Sequence, residues 1–281
     1  MAIPEAFDIL LGNGSDEIIH IMIQALARPG AVVLAPEPTF VMYRIYALVN
    51  RMRYVGVPLA PDFTLDCARI LAAIEEHQPA LTFIAYPNNP TGNLFAEADV
   101  LRILHAAPGL VVLDEAYHAF AQKSFMRRLA GHPNLVVMRT LSKIGMAGLR
   151  LGYAAGSPAW MREFDKVRPP YNVNLLTQLV AERLLADADV LEQQAAAIRD
   201  ARGRLEAELE RVPGVTAFAS DANFLLARVP DAGRVFAGMK ERGVLVKSLH
   251  GSHPLLAQCL RITVGTAEEN KQCLAALRAS L

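Results

Sequence analysis

The sequence predicts an α/β protein. A large α/β/α domain over residues 1–170, built on a mostly parallel sheet, is followed by a smaller C-terminal α+β domain over residues 171–281. Three observations predict this. Short apolar runs alternate with stretches of helical periodicity from the start of the chain to about residue 143. Those runs are apolar throughout rather than at every second residue, the pattern of strands covered on both faces. Beyond the prolines at 169 and 170 the pattern changes to a long helical run and then to shorter strands.

The first helix is set by SDEIIHIMIQALARPG. Ile18, Ile19, Met22, Ile23 and Leu26 form one stripe, Ser15 and Asp16 give a cap signal, and Pro29-Gly30 closes the segment. There follow a strand AVVLAP, a helix near 41–48, a strand YVGVPL, a helix over 66–77, a strand ALTFIAYP and a helix over 97–107. Two further strands lie in GLVVLDEAY and NLVVMRTLSK, and a hinge is expected near 169–174. Past it the pattern gives one helical run over 175–211 with a polar Ala/Glu/Arg-rich face, then strands VTAFAS and NFLLARV and a helix over 232–242. Strands VLVK and QCLRITVG and a final helix from Ala267 complete the chain.

Composition excludes several classes of function. The 28 basic residues balance the 28 acidic ones and are dispersed, so nothing favours nucleic acid or an anionic membrane. Cys67, Cys259 and Cys273 are scattered without metal spacing, which fits a reducing compartment, and His250 and His253 in HGSH lack ligating neighbours, so no metal is expected. No basic leader and no run of ~18 apolar residues is found, and a cytoplasmic location is expected.

Four stretches near strand ends carry the chemistry. In LGNGSDE, Gly12 and Gly14 let the backbone turn just ahead of a helix; taken alone this reads first as a glycine turn with a serine cap, though such a helix start can also hold a phosphate. AYPNNPTGN is equally a turn or an asparagine amide aimed at a ligand. In GLVVLDEAYHAF, Asp114 follows a strongly apolar strand, where an unpaired carboxylate is costly, so a cationic partner is expected; Tyr117 can direct its phenol into the same cavity. In TLSKIGMAGLRLGY, Lys143 is flanked by the hydroxyls of Thr140 and Ser142 and followed by Arg150. A desolvated lysine near other cations is a good nucleophile toward an aldehyde, and the hydroxyls and arginine make an anion cup.

The succession GNGSDE, PTF, NNPTG, DEAY, SK, GLRLGY and LRITVG resembles the fold-type I pyridoxal-phosphate aminotransferases over nearly the whole chain, and RTLSK, RPPYNVN and CLRITVGTAEEN are most similar to the histidinol-phosphate branch. The resemblance implies a homodimeric aminotransferase of histidine synthesis. It would move an amino group between L-histidinol phosphate and 2-oxoglutarate through pyridoxal 5'-phosphate. Aromatic amino acid transamination and decarboxylation of the phosphothreonine type are the alternatives on the same fold. It further implies that Lys143 bonds the cofactor's aldehyde carbon and shuttles a proton. Asp114 pairs with the pyridine nitrogen, Asn89 and Tyr117 hold the phenolic oxygen, and Phe40 stacks on the ring. Gly14, Ser15, Asp16, Thr140, Ser142 and Arg150 hold the phosphate, with the Asp16 side chain facing elsewhere. Arg261 takes the substrate carboxylate through its two-pronged guanidinium.

Three departures from the resemblance stand out. Relatives carry several tens of residues ahead of LGNGSDE, including a segment that closes over substrate and a tyrosine that reaches the neighbouring subunit's cofactor phosphate; their absence here predicts a truncated or alternative-start form, with weakened binding or no activity. The spacing from Lys143 to Arg150 is one residue shorter than in many relatives, predicting a tighter loop. Lys247 stands where many relatives place an arginine for the substrate phosphate, and a lysine offers only a point charge there.

Overall fold

The apolar runs are the strands of one twisted sheet, and the helices between them cover both its faces. The computed structural model describes residue 3 and residues 6–281. In chain order the large sheet and its helices are β1 (Asp8–Asn13), α1 (Gly14–Leu26), β2 (Val32–Glu37), α2 (Met42–Val49), β3 (Arg53–Pro58), α3 (Cys67–His77), β4 (Leu81–Ala85), α4 (Glu97–Ala106), β5 (Leu110–Asp114), the single turn α5 (His118–Ala121), β6 (Leu135–Thr140), β7 (Leu151–Gly156) and α6 (Pro158–Asp165). Then come α7 (Leu175–Leu185), α8 (Ala188–Glu210), β8 (Thr216–Phe218), β9 (Phe224–Arg228), α9 (Ala232–Glu241), β10 (Lys247–Ser248), β11 (Cys259–Thr263) and α10 (Ala267–Arg278).

The seven-stranded sheet has the order β1-β7-β6-β5-β4-β2-β3. Neighbours β6 to β3 pair in parallel, while β7 runs against both β6 and β1, so β7 alone is reversed. Alternate residues of the central strands feed two cores. Val112, Val136 and Met138 pack with Ile18, Met22 and Ile23 of α1 and with Phe164 of α6. Val111, Leu113 and Val137 pack on the other face with Ile70 and Ile74 of α3 and Ile103 of α4. Each fully buried side chain of this size contributes about 1.5–3 kcal/mol by leaving water, and continuous apolar strands are what a sheet covered on both faces requires.

The C-terminal sheet is antiparallel, in the order β10-β11-β9-β8. One face, with Leu225, Leu260 and Ile262, packs on Leu209 of α8, Met239 of α9 and Leu277 of α10. The other face, with Leu226 and Cys259, joins the core of the large sheet. Thr266 and Glu269 form a reciprocal capping box at the start of α10, which fixes that helix where the final helix was expected.

Several expectations are corrected. LGNGSDE is no glycine loop: β1 runs through Asn13 directly into α1, and Asn13, not Ser15 or Asp16, is the residue that precedes the helix. The strand β7 and the helix α6 went unread, because LGYAAG is glycine- and alanine-rich and carries no apolar run. The helical run over 175–211 breaks into α7 and α8 around Asp187, a residue type that favours helix starts over helix interiors. Its α7 half is not polar-faced: Leu175, Leu176, Leu179, Val180 and Leu184 stand exposed. The strand expected in VLVK shrinks to the two residues of β10, and β6 ends at Thr140 in a 3-10 turn that carries Lys143.

Candidate active site

The topology gathers the site. In β2, β4, β5 and β6, which run the same way, the C-terminal ends lie along one edge; Asp114 is the last residue of β5, and the segments that follow β2, β4 and β6 carry Phe40, Asn89 and Lys143. The C-terminal end of β1 delivers the start of α1 to the same edge, because β7 reverses between β1 and β6. Such an edge is where open α/β sheets bind ligands. Ser15, Asp16, Phe40, Asn89, Asp114, Tyr117, Thr140, Ser142, Lys143 and Arg150 line one cleft there, which encloses about 560 Å³ with its mouth. Gly14 stands immediately behind it, with φ +75, and a Cβ at that position would lie 2.7 Å from the Arg150 guanidinium.

Asp114 sits at the floor of the cleft, 6% exposed. Its Oδ2 accepts a 2.6 Å hydrogen bond from the Tyr43 hydroxyl and its Oδ1 accepts one of 3.0 Å from the Ala116 backbone N–H. The cationic partner expected from the sequence is therefore not a protein side chain: among the described residues no ion pair to Asp114 is formed, and two neutral donors hold it. Burial pushes its pKa up to about 6, against the pull of Tyr43, Ala116 and the more distant Lys143. Tyr43 was missed by sequence reasoning, although a tyrosine on the buried stripe of an apolar helix needs a partner for its hydroxyl.

Lys143 projects into the cleft with its Nζ 5.4 Å from the centre of the Tyr117 ring. Desolvation lowers its pKa, helped by the positive charge of Arg261 and opposed by Asp114 and Asp16. A larger share of the amine is thus neutral and nucleophilic near neutral pH. Tyr117 is buried, packs edge-on against Phe224, and has its phenol pushed up to about 12, chiefly by burial.

At the other end of the cleft, Thr140 Oγ1 donates to Ser142 Oγ over 2.9 Å, and Arg150 approaches Ser142 Oγ at 3.5 Å and the Asn13 carbonyl at 3.5 Å. Asp16 does not face elsewhere. Its carboxylate lines the cleft and meets Arg150 at 3.3 Å, because one turn of α1 turns it toward the guanidinium. Both partners are about half exposed, so this contact is weak and easily exchanged for another anion. Of the paired asparagines, Asn88 is structural: its amide donates to the Pro38 carbonyl and to Thr91, and its oxygen accepts from Thr39. Asn89 alone lines the cleft, where its Oδ1 accepts a 2.6 Å bond from Arg261.

A second, wider cleft opens beyond Phe40 and Lys143, between the large sheet and the C-terminal sheet. Lys247 and Arg261 are directly paired across β10 and β11, and both line it together with Arg44, Tyr54, Glu37 and His253. Arg261 lies over the Phe224 ring at 4.9 Å. It shares its face of β11 with buried Cys259, so that face meets the large sheet and the cleft rather than bulk water. Arg44, Tyr54, Glu37 and His253 had no motif to mark them.

A buried carboxylate without a cation, a desolvated primary amine, and a patch of hydroxyls, a helix start and an arginine together suit a planar, nitrogen-protonated aldehyde that bears a phosphate. The comparisons agree in kind. Residues 4–277 match the family model of the class I and II aminotransferases, and the chain belongs to that family. Within it, the chain is 56% identical to a histidinol-phosphate aminotransferase of Chromobacterium violaceum, over 99% of this chain and 78% of that protein. It is likewise 56% identical to histidinol-phosphate aminotransferase 1 of Burkholderia mallei, over 99% and 79%. A crystal structure of the histidinol-phosphate aminotransferase of Sinorhizobium meliloti in complex with pyridoxal-5'-phosphate superposes with a TM-score of 0.88 at 28% identity, covering 97% of this chain and 76% of that one.

Proposed function

We propose that this chain exchanges an amino group between L-histidinol phosphate and 2-oxoglutarate, using pyridoxal 5'-phosphate, as a step of histidine synthesis. The observation that carries the reading is the meeting of Lys143 and Asp114 in one cleft, at the strand edge where the helix start and Arg150 also lie. The names of the relatives at 56% identity support the choice of substrate. When bound, the cofactor supplies an aldehyde that takes up amino groups and an electron-poor ring that accepts an electron pair.

The chain's own residues set the conditions for that chemistry. Asp114 would hold the ring nitrogen in its protonated form by pairing with it, and the ring cation would in turn favour the ionised carboxylate. Asn89 and Tyr117 hold the phenolic oxygen, and Phe40 covers the ring. The α1 start at Gly14, Ser15 and Asp16, with Thr140, Ser142 and Arg150, grips the phosphate, and Asp16 yields Arg150 to it. Lys143, its amine kept partly neutral by burial, would hold the aldehyde carbon, with the aldehyde oxygen lost as water, and, when a substrate amine takes its place, would hold and move the proton at the substrate Cα.

Arg261 receives a carboxylate of glutamate or 2-oxoglutarate, and Lys247 beside it on β10 adds a point charge for the phosphate of histidinol phosphate, which has no carboxylate of its own. Residues 1–170 serve as the cofactor-binding domain and residues 171–281 as the smaller domain that brings Arg261 and Lys247 to the cleft. The apolar face of α7, where Leu175 is 67% and Leu176 74% exposed, supports association with a second copy of the chain. No helix among the described residues is long and apolar enough to cross a membrane, and a cytoplasmic enzyme fits that finding. The test is to compare turnover of histidinol phosphate, phenylalanine and O-phosphothreonine with 2-oxoglutarate. Preference for the first is expected, and indifference to it rejects the substrate assignment.

A further inference from the structure

Tyr43 lies outside every motif that marks the site, yet among the described residues it is the side chain that hydrogen-bonds the Asp114 carboxylate. It is fully buried, and its hydroxyl donates to Asp114 Oδ2 over 2.6 Å. Its ring has no freedom to swing away. It stacks on Phe83 with ring centres 4.4 Å apart and planes 2° from parallel, and it meets Phe40 edge-on at 5.6 Å. Phe40 is three residues earlier, just ahead of α2, and its carbonyl accepts from the Tyr43 N–H at 3.3 Å, so the entry to α2 and its first turn together present the ring that faces the cleft and the hydroxyl that holds the carboxylate. With Tyr43 on one oxygen of Asp114 and the Ala116 N–H on the other, each oxygen keeps a lone pair for a ligand, and the plane of the carboxylate is fixed.

We infer that Tyr43 is a positioning residue for the cofactor's ring nitrogen: its hydroxyl fixes and keeps ionised the Asp114 carboxylate that recognises a protonated heterocycle. The inference rests on the cofactor reading above and adds to it where the discrimination between N–H and C–H at that ring position comes from. The direction follows from physical chemistry. A donor held against a carboxylate favours its charged form, whereas burial opposes it, and of the groups acting on Asp114 the Tyr43 hydroxyl is the strongest that favours charge. Lys143 acts in the same sense and Asp16 in the opposite one, both from farther away. Without the hydroxyl, the carboxylate spends more of its time neutral, and a neutral acid has little preference for a ring cation.

The experiment uses cofactor-free protein and measures the dissociation constants of pyridoxal 5'-phosphate and of its deaza analogue, in which a C–H replaces the ring nitrogen. The ratio of the two isolates the contact with Asp114 from all contacts with the phosphate and aldehyde. For the unaltered protein the ratio favours the nitrogen heterocycle. In Tyr43→Phe it is expected to fall about tenfold, equivalent to about 1.4 kcal/mol, with binding of the deaza analogue little changed. Equal losses for both ligands, leaving the ratio where it was, would show that Tyr43 only supports the local packing and would overturn the inference. Tyr43→Phe in an Asp114→Asn background covers the case in which the single variant folds poorly, since no ionised carboxylate is then left without its donor. The double variant should have the same ratio as Asp114→Asn alone, and a further drop would mean that Tyr43 acts by another route. If the unaltered protein makes no distinction between the two ligands, the cofactor reading itself fails and this inference falls with it.

Discussion

Among the described residues Asp114 is held by two neutral donors and by no ion pair, and its burial disfavours the charged form in the cofactor-free protein. Its folded-state pKa, near 6, lies above the value of about 3.9 expected in the unfolded chain, so its ionised form destabilises the fold above pH 6 and ceases to do so as pH falls toward 4. The cost at neutral pH is on the order of 2–3 kcal/mol, from a group that is 6% exposed. Asp114→Asn should therefore raise the melting temperature of the cofactor-free protein at pH 8, and the gain should shrink between pH 6 and pH 4; a gain that grows on acidification would contradict this. The same substitution should weaken cofactor binding, so the residue trades stability for function. At Lys143, borohydride treatment of the loaded protein should fix the cofactor covalently to this side chain. Lys143→Ala should give no covalent adduct by mass spectrometry, and labelling at a different lysine would displace it from its role.

At the scale of elements, strand ends are held in place by buried polar contacts next to the cleft. Glu115 and Arg139, adjacent in sequence to Asp114 and Thr140, form a buried ion pair at 2.8 Å across the ends of β5 and β6. Ser124 and the Phe125 N–H complete the coordination of Glu115, and Tyr153 of β7 receives the remaining guanidinium arm. Arg139→Met leaves a buried unpaired carboxylate and should cost about 3–5 kcal/mol in denaturant unfolding, much of it recovered when Glu115→Gln is added. At the junction of β1 and α1, Gly14→Ala forces a side chain into the left-handed region and against Arg150. A loss of about 1–2 kcal/mol in stability and a several-fold loss in cofactor affinity are expected, measurable by melting and by titration. These elements also show what the sequence conceals. Continuous apolar runs made β2, β4, β5 and β6 legible, and their ends carried the motifs. β7 was not legible because small residues pack it between two neighbours, and Tyr43 was not because nothing local tells a buried tyrosine that holds an acid from one that fills space.

For the molecule as a whole, the legible part of the site was the part encoded in contiguous motifs, and the hidden part was made by packing between distant segments. Lys143, Asp114, Asn89, Tyr117 and Arg150 could be named from their motifs, whereas Glu37, Arg44 and Tyr54 meet through the pairing of β2 with β3 and the packing of α2, and His253, Lys247 and Arg261 join them only from the C-terminal part of the chain. That joining is visible in the 2.6 Å bond from Arg261 of β11 to Asn89 after β4, a contact between the two sheets made inside the cleft. Substrate anions that take Arg261 must break or share this bond, so binding at the active site is coupled to the fit between the sheets. The most direct test of the central claim is the visible absorption spectrum of the purified chain with pyridoxal 5'-phosphate, recorded before and after addition of L-histidinol phosphate. A band from the cofactor bonded to Lys143 that disappears on adding histidinol phosphate and returns on adding 2-oxoglutarate is the predicted result. A spectrum identical to that of the free cofactor, unchanged by either substrate, would contradict the account.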